Sequence, residues 1–311
     1  MNTQNDYDSA WKDAIEKYFK EFMAFFFPEA HADIDWNKGY EFLDQELQKV
    51  VRDADIGRRF ADKLVKVFLK TGEQIWVMIH IEVQGYWDDT FPKRMYVYNY
   101  RLFDRYDTKV VSLAILADDL KNWRPDSYGY ELWGCQVNIT FPVVKLIDYL
   151  DKWGDLEKDP NPFSIITMAH LKTQSTAGQF ETRLIWKIRL MKMLYQRGYN
   201  RSNILELFRF IDWLMILPKQ LEQRFKQSVI EQEEENKMPY VTSIERLGMQ
   251  EVATEMVIET LKIRFTKVPE TLIRSIESIS DLSSLKQLHN KAVLAASIQE
   301  FESNIENNSE T

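Results

Sequence analysis

Two acidic residues at matching ends of neighbouring apolar segments are the side chains of this chain best suited to chemistry. Asp62 stands near the start of the strand-like run 61–70 (ADKLVKVFLK), and Glu82 lies near the end of the run 75–85 (IWVMIHIEVQG). Residues 71–73, which follow the first run, have the length and central glycine of a hairpin loop, which predicts that Asp62 lies directly opposite Glu82. Because facing residues of an antiparallel pair are roughly 5 Å apart at Cβ, the two carboxylates could share one divalent cation.

The chemistry that such a pair favours is metal-assisted hydrolysis of a phosphodiester. This reaction needs a cation that neutralises charge on the phosphate and a water molecule that is activated near neutral pH. Asp62, Glu82 and the backbone carbonyl of Val83 are the predicted ligands of Mg²⁺ or Mn²⁺. Gln84 shares the strand face of Glu82 and could hold the attacking water or a phosphate oxygen, but only through hydrogen bonds because it carries no charge.

Two ordinary roles compete with this interpretation of the acids. A lone aspartate at a strand start is commonly a turn cap or a solvated end. Burying two unpaired acids on an apolar strand pair costs several kcal/mol of folding free energy unless a metal or a base compensates. This cost favours the interpretation of the pair as a metal site. The rival explanation is a salt bridge of Asp62 or Glu82 to Lys66, which lies on the strand face of Asp62. His80 is either an outer polar group of the site or a core histidine.

Hydrophobic periodicity predicts an α/β fold around the two acidic residues. The predicted elements, in chain order, are a helix over 8–26, a helix that runs into a short strand over 40–51, strands over 61–70 and 75–85, a helix begun by Pro92, and strands over 110–117 and 137–144. The strands over 75–85 and 110–117 would be joined by a β-helix-β crossover, which makes them parallel neighbours.

Beyond residue 151 the pattern changes to helices. These are predicted over 163–172, 180–197, 202–217, 219–236, 242–250, 252–265, 270–279 and 283–301. We therefore predict an α/β domain over 1–145, a helical extension over 146–220, an acidic linker or helix over 221–245, and a small helical domain over 246–311 that ends in a disordered tail.

Basic residues near the acid pair could contact a polyanionic substrate. The chain carries a formal net charge of −8, yet residues 51–110 hold eleven basic against nine acidic residues. The candidates for phosphate contact are Lys66, Arg94, Arg101 and Arg105. The three arginines share one face of the predicted helix, where a solvated charge is the usual role and a phosphate contact is the hypothesis.

The composition and the motifs of the sequence exclude several other classes of protein. The single cysteine, Cys135, excludes an internal disulfide framework and a multi-cysteine zinc site, and it fits a reducing cytoplasm. Phosphate-binding glycine loops, dinucleotide-binding turns and serine-esterase elbows have no match in the sequence. The apolar runs are shorter than a membrane span and the N-terminus is polar, so we expect a cytoplasmic protein without a membrane partner.

The ordered blocks around these acids resemble the PD-(D/E)XK nuclease superfamily, whose signature is an Asp at one strand start and (D/E)-x-K on the next strand. Asp62 and Glu82-Val83-Gln84 match it, with Gln84 in the place of the lysine. The chain is more closely similar to the Rpn family of recombination-promoting nucleases or transposases, in which a Glu-x-Gln ending is usual. The blocks that carry the resemblance are 59–64 (RFADKL), 80–84 (HIEVQ), 91–95 (FPKRM) and 210–215 (FIDWLM).

The resemblance implies a PD-(D/E)XK core of the order αβββαβ with a mixed sheet, followed by an all-helical C-terminal region. It also implies a magnesium-dependent DNA endonuclease associated with recombination or mobile elements, with DNA as its partner. In the wider superfamily an acid of the first helix often assists, and the candidates are Glu16, Asp44 and Glu46. Such proteins often end in a small helical domain, which residues 252–301 resemble.

Two functions from other classes stay open. A nuclease fold without activity could serve as a DNA-binding or protein-interaction module, a hypothesis suggested by Gln84 and by the negative net charge. The acidic C-terminal helices could instead act as a scaffold through which the chain forms a homo-oligomer.

Overall fold

The computed structural model describes residues 3–53, 61–82, 89–236, 241–265, 268–279, 282–295 and 297–306. The chain divides into two compact units, Met1–Lys226 and Gln227–Thr311. The first unit holds both sheets together with the helices that cover them. Within the described ranges, no helix has the combination of length and apolar character that crossing a bilayer requires.

The first unit is α/β, with a mixed five-stranded sheet at its centre. The strands are β1 (Glu41–Phe42), β2 (Ala61–Phe68), β3 (Gln74–Glu82), β4 (Val110–Leu116), β5 (Ser127–Leu132), β6 (Cys135–Thr140) and β7 (Val143–Lys145). The main sheet has the order β1-β2-β3-β4-β7, and β5 and β6 form a separate two-stranded sheet. Strands β1, β2 and β3 are antiparallel neighbours, whereas β3, β4 and β7 run parallel, as the predicted crossover requires for β3 and β4.

Helices make up most of the described residues outside the strands. In the first unit they are α1 (Thr3–Lys17), α2 (Phe19–Phe26), α3 (Pro28–Asp33), α4 (Asp44–Asp53), α5 (Phe91–Tyr106), α6 (Trp153–Lys158), α7 (Pro162–Ser175), α8 (Phe180–Gln196) and α9 (Arg201–Leu214). The boundary between the units falls within α10 (Lys219–Asn236). The second unit continues with α11 (Val241–Arg264), α12 (Glu270–Glu277), α13 (Leu282–Leu294) and α14 (Ile298–Glu306), and its core is apolar.

Several predicted elements have different bounds in the structure. The helix predicted over 8–26 is interrupted at Tyr18, whose ψ of 40° is not helical, and Pro28 begins α3 at a position where its missing N–H costs nothing. The segment 40–51 places its short strand before its helix rather than after it. Residues 302–306, predicted to belong to a disordered tail, are part of α14, and 307–311 lie outside the described residues.

The strand predicted over 137–144 is two strands with different partners. Residues 135–140 pair with β5, whereas 143–145 join the main sheet beside β4. The break falls at Phe141-Pro142, where the proline has no N–H to donate to a strand ladder.

The register of the β2–β3 hairpin is shifted by two residues from the predicted one. The loop is 70–72 rather than 71–73, and the Leu69 N–H donates to the Glu73 carbonyl at 2.7 Å to close it. Gly72 has φ of 93°, a conformation that a three-residue hairpin loop requires at its last position and that glycine adopts most easily. Since the turn is centred on Thr71, every cross-strand partner moves by two, and Asp62 pairs with His80.

A substitution at the hairpin loop tests this explanation of the register. We expect Gly72→Ala to lower the free energy of unfolding by about 1–2 kcal/mol, because the positive φ is unfavourable for a residue with a Cβ. Steric clash contributes nothing, since a Cβ at Gly72 has no heavy atom within 4 Å beyond its chain neighbours. Urea denaturation measures the change, with Thr71→Ala as the control, and equal stabilities for the two variants would contradict the explanation.

Both faces of the main sheet are buried. On one face Leu64, Trp76 and Ala114 pack with Met95 and Leu102 of α5. Residues of the opposite strand parity, such as Val65, Val77 and Ile115, are equally buried, which agrees with a sheet that is covered on both sides.

His170 of α7 links the end of β4 to α1 in the interior. Its Nε2 lies 2.8 Å from the Ala117 carbonyl oxygen, and the Trp11 indole N–H donates to its Nδ1 at 3.5 Å. These partners place the imidazole proton on Nε2, so that the neutral ring satisfies both contacts. Burial lowers the pKa of His170 to about 4.

The buried histidine predicts a loss of stability in mild acid. The unfolded chain takes up a proton near pH 6.5 and the folded chain only near pH 4, so stability is lost as pH falls through this window. At pH 5 we expect His170 to account for a loss of about 2 kcal/mol relative to pH 7. Urea denaturation at both pH values measures it, and His170→Gln should be less stable at pH 7 but show a smaller difference between the two pH values. An unchanged pH difference in the variant would contradict this role.

Candidate metal and substrate site

The two predicted metal ligands lie at adjacent ends of β2 and β3. The structure describes the backbone of Asp62 and Glu82, and Val83 and Gln84 lie outside the described residues. The prediction that Asp62 directly faces Glu82 is wrong, because the turn at Gly72 shifts the pairing and sets Asp62 across from His80.

The corrected register leaves Glu82 diagonal to Asp62, two residues further along β3. Diagonal positions of an antiparallel pair are roughly 7–8 Å apart. Aspartate and glutamate side chains can span such a gap from both sides, since each carboxylate oxygen needs to come within only about 2.1 Å of a magnesium ion. The backbone geometry therefore fits a shared ion.

Glu82 also marks the carboxyl end of the parallel part of the sheet. Its Cα is aligned with Leu116 at the end of β4, which is in turn aligned with Lys145 at the end of β7. Residues aligned side by side in neighbouring strands belong to one face of the sheet. In open α/β sheets, ligands bind outside the carboxyl ends of the parallel strands, so Glu82 occupies a position typical of a ligand site.

A buried ion pair beside this edge was missed by the sequence analysis. Lys145 Nζ lies 2.5 Å from Asp118 Oδ1, with side-chain exposures of 1% and 0%. The ammonium also donates to the Trp123 carbonyl at 3.1 Å, and Asp118 Oδ1 accepts the Leu120 N–H at 2.9 Å. Burial lowers the pKa of Lys145, an effect that Asp118 opposes. The pair fixes the segment that leaves β4 against the end of β7.

Lys63 of β2 forms ion pairs with two of the three candidate helix acids. Its Nζ lies 2.8 Å from Glu16 Oε2 and 2.7 Å from Asp44 Oδ2, and the lysine side chain is almost fully buried. Burial opposes the charge of Lys63, but hydrogen bonds to Asp44 and Glu16 outweigh it and raise its pKa. Because Lys63 follows Asp62 in β2, the two belong to opposite faces of the sheet. Glu16 and Asp44 therefore hold α1 and α4 to the sheet through Lys63, and Glu46 is the candidate outside this cluster.

Lys66 forms its ion pair with Glu41 of the edge strand β1. The rival interpretation of the acid pair needed this ammonium as the partner of Asp62 or Glu82. The side chains of Asp62 and Glu82 lie outside the described residues, so an ion pair of Lys66 with either acid stays a hypothesis, and its contact with a DNA phosphate stays a prediction.

The three arginines of α5 differ in exposure despite their common spacing. Arg94 is buried, with its guanidinium 5.8 Å from the Phe91 ring centroid. Arg101 is half-buried and Arg105 is exposed. Arg94 is consequently a poor candidate for a phosphate contact from solvent, whereas Arg101 and Arg105 keep that predicted role.

The search for metal ligands covers the side chains in the part of the chain that the structure describes. No three or more His, Cys, Asp and Glu side chains in that part are grouped to hold an ion. The side chains of Asp62, His80 and Glu82 are outside this description. Comparisons with protein-family models, with curated proteins and with solved structures find no match to the chain.

Proposed function

We propose that the chain is a metal-dependent DNA endonuclease of the PD-(D/E)XK type. The observation that carries the proposal is the position of Asp62 and Glu82, one on each of two neighbouring strands of the main sheet and diagonal to each other. Six elements support it, because α1, β1, β2, β3, α5 and β4 follow the pattern αβββαβ, with α2 and α3 as additional helices before β1 and α4 as an additional helix between β1 and β2.

The proposed site divides its roles among four residues. Asp62, Glu82 and the Val83 carbonyl would hold Mg²⁺ or Mn²⁺, because both ions accept oxygen ligands of these kinds. When bound, such an ion neutralises charge on a phosphate and lowers the pKa of a coordinated water. Gln84 would orient the attacking water or a phosphate oxygen by hydrogen bonds, without the charge that a lysine supplies.

Substrate contacts would come from the exposed side of α5. Arg101 and Arg105 carry the charge that DNA phosphates attract. They lie in the second half of α5, where Tyr106 packs on Trp76 near the start of β3, so they would contact phosphates at a distance from the one held beside Glu82. We propose a cytoplasmic enzyme whose biological setting is recombination or a mobile element, which rests on the resemblance of the sequence blocks.

Nicking of supercoiled plasmid DNA tests the proposal. We expect the purified full-length chain to convert the plasmid to open-circular and linear forms with Mg²⁺ or Mn²⁺ and to leave it intact in EDTA. The control is Asp62→Ala prepared in parallel, which reports any contaminating nuclease. An absence of cleavage with both metals would overturn the proposal.

A nuclease fold without activity is the second candidate, favoured by Gln84 in the position of the lysine. It predicts DNA binding without cleavage in the same plasmid experiment. The variant Gln84→Lys gives a further comparison, because a gain of cleavage in this variant alone would show that the glutamine has removed the activity.

A further inference from the structure

Helix α11 of the second unit has an apolar side that points away from the core of that unit. Val252, Met256 and Ile263 are 57%, 47% and 84% exposed. At about 100° per residue, these three positions lie within roughly 40° of one another on the helix surface. The residues of α11 that pack into the core lie about 120° further round and are Ala253, Val257 and Leu261. We call Val252, Met256 and Ile263 the outer stripe.

The outer stripe is a continuous row rather than a set of scattered side chains. Single exposed apolar residues are normal on a protein surface, whereas a contiguous apolar patch marks an interaction site. The spacings of four and seven residues are those of a helix that packs lengthwise on another helix. Val293 and Leu294 add exposed aliphatic surface near the end of α11, where Arg264 donates to the Val293 carbonyl. The row therefore indicates a helical partner that lies along α11.

Two opposite charges lie along one edge of the outer stripe. On the helix surface, Glu255 and Lys262 are about 60° and 80° from Val252, both on the same side, and both are exposed. One heptad separates the two residues, which sets them about 10 Å apart along the helix axis. An acid near one end of the edge and a base near the other end match the same edge of a second α11 that runs in the opposite direction.

We propose that α11 forms a homodimer interface, in which two copies of the chain pack their outer stripes antiparallel about a two-fold axis. Such an axis brings each edge of one helix against the same edge of its mate, in reverse order. Glu255 of each copy then meets Lys262 of the partner subunit, and Val252 lies within one turn of Ile263 of the partner subunit. A parallel pair would instead place like charges together, which is unfavourable. The charges thus favour a second copy in the antiparallel orientation.

Glu259 interrupts the outer stripe and should weaken this dimer. It lies about 20° from Val252, close to the middle of the row, and it is exposed. Near the two-fold axis its carboxylate would pack on an apolar neighbour and come close to its own symmetry mate, and both contacts are unfavourable. Because the interface uses one face of one helix, it is small, and we expect a dissociation constant of about 1–100 μM.

Sedimentation equilibrium of the full-length protein over about 1–300 μM tests the proposal. We expect a monomer–dimer equilibrium in the wild type. Glu255→Lys and Lys262→Glu should each weaken association about fivefold or more, because two attractive pairs become two repulsive ones. The double variant that carries both changes restores opposite charges and should associate within about twofold of the wild type. Lys286→Glu, an exposed charge reversal on α13, is the matched control and should change little.

A stabilising variant makes the test work in both directions. Glu259→Leu continues the apolar row and should tighten association about fivefold or more. Circular dichroism at a concentration where each protein is monomeric shows that the variants are folded, since all the changed side chains are exposed.

The outcomes are independent of the proposed nuclease activity, because association is measured without DNA or metal. A wild type and a Glu259→Leu variant that both remain monomeric at every concentration would overturn the proposal, as would be found if another part of the same chain covered the outer stripe. A dimer that neither single charge reversal weakens, or that the double variant does not restore, would also overturn it. An uncut plasmid would leave it unaffected.

Discussion

Asp62→Asn and Glu82→Gln are each expected to slow metal-dependent DNA cleavage by a factor of about a thousand or more. Each change keeps the size of the side chain but removes the charge that holds the cation, and with it the activation of water and the neutralisation of phosphate charge. Initial rates of plasmid nicking at saturating Mg²⁺ measure the effect. Undiminished cutting by both variants would rule out this site.

A matched control separates loss of a ligand from loss of an acid near the sheet. Glu41→Gln removes a carboxylate from the neighbouring strand β1, where it pairs with Lys66. We expect this variant to cut DNA at close to the wild-type rate. The three variants should unfold at similar urea concentrations, since an exposed ion pair such as that of Glu41 contributes no more than about 1 kcal/mol.

Lys145→Met is expected to have the largest effect on stability, lowering the free energy of unfolding by about 3–5 kcal/mol. The change leaves the fully buried carboxylate of Asp118 without its cation, and an uncompensated charge in the interior is strongly unfavourable. Urea denaturation at pH 7 measures the loss. The double variant Asp118→Leu with Lys145→Met removes both charges and should recover most of the stability.

An exposed ion pair provides the comparison for this prediction. Arg124 binds Asp148 through two hydrogen bonds of 2.7 and 2.5 Å, with both side chains about half exposed. Because water screens this pair, Arg124→Met should cost about 1 kcal/mol or less. If Lys145→Met were no more destabilising than Arg124→Met, the interior pair would not have the role described.

Periodicity in the sequence was enough to predict the centre of the first unit. The apolar runs at β2, β3 and β4 and the amphipathic stripe of α5 predicted both the hairpin and the parallel crossover, and the structure confirms these. These elements repeat with periods of two and 3.6 residues over long stretches, so local pattern and tertiary packing agree.

Backbone conformation explains where the sequence analysis failed. The hairpin register depends on which residue of the loop takes a positive φ, and the predicted loop put Gly72 at its centre instead of its end. Strand β5 was missed because it is mostly exposed, and no buried alternation marks it. Trp133 takes a positive φ in the loop between β5 and β6, where a type I′ turn usually has Asn, Asp or Gly, so composition could not indicate the turn.

Contacts between distant residues were the least predictable part of the candidate site. Lys145 and Asp118 are 27 positions apart, and Lys63 and Glu16 are 47 apart. No spacing rule connects such pairs, because the fold alone brings them together. Helical spacing predicts one common face for Arg94, Arg101 and Arg105 of α5, but it does not determine how deeply each end of a helix is packed, and Arg94 is buried whereas Arg105 is exposed.

Calorimetric titration of the full-length protein with Mn²⁺, in the absence of DNA, tests the metal site most directly. We expect the wild type to bind one ion per chain, and Asp62→Asn and Glu82→Gln each to bind it at least about tenfold more weakly. Equal Mn²⁺ affinity in all three proteins, or no Mn²⁺ binding by the wild type, would contradict the claim that these two acids hold a single cation.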